Sequence, residues 1–226
     1  MTRAQNTPFA GAHQSASWRC ASNAPNSTAL DVGVHVANTL IDDGADLLIT
    51  GDMGIGNTTA SAALIAALTG EAPHAVVGRG AGANDAQMAR KLAAISKALS
   101  HLPKNAPVLA TLAALGGFEH PALAGFVVGG AARRVPVVVD GVITGAALLV
   151  ASALDPGVEQ FCIAGHRSVE PGASIVLEKL KMRPLLDLEM RLGERTGALT
   201  ASLLVVAASR LAAKMAFLDD ARIDPT

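Results

Sequence analysis

The chain has 226 residues, enough for one domain with a full core, or one domain plus a small appendage. It is 50% hydrophobic but only 3% aromatic with no Tyr, so the core must be built from Ala, Val, Leu and Ile, which suits close-packed helices better than a β-sandwich. A net charge of −1, with scattered Arg and Lys and few stacking rings, argues against a nucleic-acid or acidic-membrane partner.

Residues 1–28 are polar, rich in Ser, Asn and Ala, and hold the single Trp18; they read as an irregular N-terminal arm without a signal-peptide core. Asn26, Ser27 and Thr28 offer N-caps to a helix through Leu30, Val34, Ala37 and Leu40 that stops at Gly44. An apolar run at 46–50 predicts a strand, 51–56 a glycine loop, and 57–68 a helix ended by Gly70. Residues 74–77 predict a short strand running into a second glycine cluster at 78–82. Asn84 and Asp85 cap a long amphipathic helix with Met88, Leu92, Ile95 and Leu99 inward. Two more helices flank 116–120. The run 136–139 is a buried strand ending in Asp140 and Gly141, 142–153 is helical, and 161–164 is another strand followed by Gly165, His166, Arg167 and Ser168. A helix begins near Pro171, and an Ala/Leu-rich helix spans about 196–218. Alternating strands and helices predict a three-layer α/β domain over 29–226. Its mostly parallel, Rossmann-like sheet is covered on both faces, and the last helix is part of a small helical appendage.

The most informative stretch reads Gly51-Asp52-Met53-Gly54-Ile55-Gly56-Asn57-Thr58-Thr59. A strand, glycine loop and helix in that order aim backbone N–H groups and a helix N-terminus at one point, which suits a phosphate; a tight strand-to-helix turn is the plainer reading. Asn57 and Thr58 stand where an NTPase loop needs Lys and Ser/Thr, and Thr59 stands where a dinucleotide fingerprint needs Gly, so neither pattern fits. The second glycine cluster, read as another backbone cradle at a strand end, strengthens the case for a phosphorylated ligand. Glu194, between glycines ahead of the last helix, reads either as an acid presented to a ligand or as a helix-dipole acid. His166 reads as a hydrogen-bonding or a catalytic residue. Cys20 and Cys162 have no metal-like spacing, no cluster has zinc-ligand spacing, and no serine-hydrolase elbow is present.

Taken in order, the stretches 51–59, 77–80 with 89–91, 116–119, 138–141, 165–172 and 184–197 resemble the nicotinate-nucleotide:dimethylbenzimidazole phosphoribosyltransferases of cobalamin biosynthesis. The resemblance runs from about residue 28 to the C-terminus. The family's N-terminal region, which supplies part of the small domain and of the benzimidazole pocket, has little counterpart here. The resemblance implies transfer of the phosphoribosyl group of nicotinate mononucleotide to 5,6-dimethylbenzimidazole, giving α-ribazole 5′-phosphate and nicotinate. It implies Glu194 as the general base on the benzimidazole N–H, and Asp52, where the family usually has Glu, as a second acid near the sugar. Gly54, Gly56, Asn57, Thr58 and Thr59 would cradle the phosphate with Lys91. Gly80, Asp140, Ser168, Leu192 and Gly193 would line the nucleotide or base site. Arg195 stands where the family has a small residue, and Ala173 where a His usually follows Pro-Gly. The pyridinium leaving group requires no metal, and no cofactor is implied. A cytoplasmic homodimer acting on small molecules, with no nucleic-acid or membrane partner, is the expectation. A non-catalytic or partner-dependent nucleotide-binding member of the same family is the alternative.

Overall fold

A computed structural model describes residues 25–215. The element order is α1 (Pro25–Asp42), β1 (Leu48–Ile49), α2 (Asn57–Thr69), α3 (Pro73–Val76), α4 (Asp85–His101), α5 (Val108–Leu115), α6 (Glu119–Ala132), β2 (Val137–Val139), α7 (Val142–Leu154), a 3-10 turn (Val158–Phe161), β3 (Cys162–Ala164), α8 (Pro171–Lys179) and α9 (Thr196–Lys214). The expected arm falls almost wholly before Pro25, so it, Trp18 and Cys20 lie outside the described residues, as does the last helix beyond residue 215.

The strands form a parallel sheet in the order β1-β2-β3, with Leu48 opposite Val137 and Val139 opposite Ala164. Each strand is only two or three residues long. Side chains on β2 alternate. Val137 and Val139 enter the main core with α6 and α7, while Val138 faces a smaller cluster with Ala198 and Ala201 of α9. Helices therefore cover both faces, as expected. α2 and α7 are apolar nearly all round and are buried accordingly.

Two local expectations change. Residues 74–77 do not form a strand: Pro73 opens the short helix α3, and only Val77 is extended. Proline fixes the φ of a first helical turn, which outweighs the β-branched pair that follows. Asn26, Ser27 and Thr28 do not precede the first helix but lie inside its opening turn, because α1 already begins at Pro25. The punctuation elsewhere holds. Gly70 caps α2 in the left-handed region, and Asn84 forms a reciprocal capping box with Gln87 at α4.

α9 has the length and apolarity of a membrane-crossing helix, yet Gly197, Ala198, Ala201 and Ser202 pack it on the domain. Its other face carries exposed Leu199, Leu203, Leu204 and Leu211.

Candidate active site

The loop after β1 delivers the chain to the N-terminus of α2. Gly56 takes φ 90° there and offers no side chain to cap the helix, so the first-turn N–H groups keep their partial positive charge. The Asn57 side-chain amide donates to the Asp52 carboxylate, which ties the acid back to the helix it precedes. Lys91 of α4 donates to Thr58 Oγ1 at 3.2 Å and to the Gly78 carbonyl at 2.7 Å. Burial pushes the Lys91 ammonium below its usual pKa, and Glu170 opposes that shift. An open cleft is lined by Asp52, Met53, Gly54, Ile55, Gly56, Asn57 and Ala60, with Glu119 of α6 on its wall. Asp52, Gly54, Gly56, Asn57, Thr58, Thr59 and Lys91 thus come together around one helix start. The cleft suits an anion at the helix N-terminus with hydroxyl groups near the two carboxylates.

The second glycine cluster differs from its expectation. It follows α3 and not a strand, and the Gly80 N–H donates to Glu170 Oε1 at 2.8 Å. A carboxylate of the protein itself occupies this cradle. Ser168 is buried and its hydroxyl accepts the Glu170 N–H at 3.4 Å, so it shapes the turn that brings Glu170 there.

Glu194 sits on a strained segment. Gly193, Glu194 and Arg195 have φ of 77°, 55° and 59°, and left-handed backbone is costly at the two non-glycine positions. The Glu194 and Arg195 side chains are exposed, and among the described residues neither forms an ion pair. Leu192, just before them, is exposed as well.

Asp140 holds this segment in place. From the end of β2 it accepts the Ala198 N–H on Oδ1 at 2.9 Å and the Arg195 N–H on Oδ2 at 3.2 Å. Arg195 has no side-chain cap of its own, so a carboxylate on another element caps α9. Asp140 is 6% exposed and turned to the helix start, not to the cleft around Asp52. His166 lies buried with Nδ1 3.5 Å from Asp140 Oδ1, without hydrogen-bond geometry. Burial holds the His166 imidazole below its ordinary value of 6.5, against the pull of Asp140.

The two halves meet at Gly51. A Cβ there would lie 2.4 Å from Arg195 Cβ, so the root of the glycine loop rests against the residue after Glu194. Sequence reasoning missed the roles of Glu119 and Glu170. Glu119 had a usable signal, a carboxylate two residues after a Gly-Gly pair at a helix start; Glu170 had none, because its partner lies 90 residues away.

A family model described as "Phosphoribosyltransferase" matches residues 10–223. The chain belongs to this phosphoribosyltransferase family. It is 51% identical over 196 residues to the nicotinate-nucleotide–dimethylbenzimidazole phosphoribosyltransferase of Chloroflexus aggregans, covering 86% of this chain and 56% of that protein. The protein of the same name from Roseiflexus sp. is 52% identical over the same shares. The crystal structure of CobT from Thermus thermophilus superposes with a TM-score of 0.86 at 44% identity, covering 89% of this chain and 60% of the other. The chain therefore spans a little over half the length of the curated relatives it matches.

Proposed function

We propose that this chain carries phosphoribosyl transfer from nicotinate mononucleotide to 5,6-dimethylbenzimidazole, giving α-ribazole 5′-phosphate and nicotinate. The observation that carries the reading is the contact of Gly51 with Arg195, which brings the root of the glycine loop against the strained turn that exposes Glu194. The phosphate sits at the start of α2 near Thr58 and Lys91, and Asp52 addresses the sugar. Glu194 takes the N–H proton of the benzimidazole while the other ring nitrogen forms a bond to C1′. The bond from C1′ to the nicotinate nitrogen breaks, and its electron pair neutralises the pyridinium. The reading extends to a cytoplasmic homodimer, for which the exposed apolar face of α9 offers a seam.

The test is to incubate the purified chain with both substrates and measure α-ribazole 5′-phosphate. Product forms with the wild-type chain, and Glu194→Gln lowers its rate by about 10²–10⁴-fold, the range for a lost general base. Undiminished product from Glu194→Gln contradicts the assignment.

A second reading is a nucleotide-binding member whose turnover needs a further polypeptide segment. It is favoured by the apolar face of α9, which begins next to Glu194 and carries Leu199 and Leu203 into solvent. Binding of nicotinate mononucleotide without product separates it from the first.

A further inference from the structure

His120, in the first turn of α6, is wholly buried, and the chemistry outlined above does not use it. Its Nδ1 accepts the Gly117 N–H at 3.2 Å, which leaves the proton of a neutral ring on Nε2. Nε2 lies 2.9 Å from Ser61 Oγ, itself buried within α2. The Ser61 hydroxyl donates its single hydrogen to the Asn57 carbonyl at 2.9 Å, so it accepts from His120. The Asn57 side chain then donates to Asp52. One continuous chain of hydrogen bonds thus runs from the turn before α6, through His120 and Ser61, to the first residue of α2 and the acid of the glycine loop. Burial lowers the His120 pKa from its ordinary 6.5, against Glu119, whose Oε1 is 3.1 Å from Nδ1, and against the Gly117 backbone and Asp52.

An apolar side chain of similar volume would fill this space without needing two partners. A fully satisfied buried network instead fixes the relative positions of the elements it joins. Here those elements carry the two walls of the cleft, Glu119 on one side and Asp52 with Asn57 on the other.

We propose that His120 is a positioning residue that, with Ser61, fixes the start of α2 against the turn at 116–117 and thereby sets Asn57 and Asp52 for the nucleotide. It touches no ligand. What the cleft holds rests on the function proposed above; the bonding chain itself does not.

The experiment is amide hydrogen exchange on the ligand-free full chain, with calorimetry of nicotinate mononucleotide alongside. His120→Leu keeps the volume and removes both bonds. Ser61→Ala cuts the chain from the other side and guards against a His120 variant that fails to fold. His120→Gln retains a donor near the Nε2 position. Exchange across 52–59 rises about tenfold in His120→Leu and Ser61→Ala, the scale of one lost buried hydrogen bond, while α7 is unchanged; His120→Gln restores most of the protection. Mononucleotide affinity falls in parallel. Unchanged exchange at 52–59 in both variants, or His120→Gln no better protected than His120→Leu, overturns the proposal. A wild-type chain that binds no mononucleotide removes the functional reading, while the exchange data still decide the role of His120.

Discussion

The glycine-loop half of the site and the Glu194 half are built by opposite means. The first is local and deeply rooted: β1, the loop and α2 are contiguous, and α2 buries residues 61–66 in the main core. The second hangs on little. Glu194 and Arg195 hold left-handed backbone, α9 meets the sheet through a small cluster, and one carboxylate from the end of β2 supplies the cap. A rigid, preorganised helix start suits the binding of a phosphate that does not change during the reaction. A strained turn held by Asp140 and Gly51 suits a base that must meet a separate substrate.

The contrast can be broken most severely at the junction. Gly51→Val places a side chain into the Arg195 backbone and Cβ, and should cost about 1–3 kcal/mol of stability, as overpacking does. It should abolish product formation as well, read by thermal melting and the product assay together.

Asp140→Ala comes next. It leaves the Arg195 and Ala198 N–H groups without their acceptor and should cost about 0.5–2 kcal/mol, the scale of a lost helix cap. Turnover should fall while mononucleotide affinity holds. Equal losses of both would place Asp140 in the nucleotide site itself.

The smallest effect is on pH dependence. His120 and His166 have folded pKa values below the ordinary 6.5, chiefly through burial. The unfolded chain therefore binds more protons than the folded one just below that value, so their contribution is fully present above about pH 6.5 and is lost as pH falls through the folded values. Melting temperature should drop on acidification in this window, and less steeply in His166→Gln. A flat profile between neutral pH and about pH 5 would contradict the neutral, buried assignment.

How far each half could be read from sequence follows the same division. The loop at 51–59 was legible because its residues are adjacent and its strand-loop-helix order is a local signal. The bond from Ala198 to Asp140 crosses 58 residues, so nothing local shows that this acid at a strand end also caps a remote helix. The cluster at 78–82 read as a phosphate cradle because nothing local shows that Glu170 fills it. Residues 74–77 misled for a different reason. A four-residue run that opens on His74 has no period of its own, and Pro73 decided its conformation. The sheet's parallel order and its two covered faces were readable from the alternation of elements.

On the proposed function, one half of the site binds the nucleotide and the other performs the proton transfer. The most direct measurement is the dissociation constant of nicotinate mononucleotide for Glu194→Gln, taken on a preparation whose product formation has already been assayed. Affinity should stay within about twofold of wild type beside a rate lowered by orders of magnitude, because the lost carboxylate acts on the other substrate. A mononucleotide affinity weakened about tenfold or more, with product formation lowered only in proportion, would place Glu194 in the nucleotide-binding half and contradict the division.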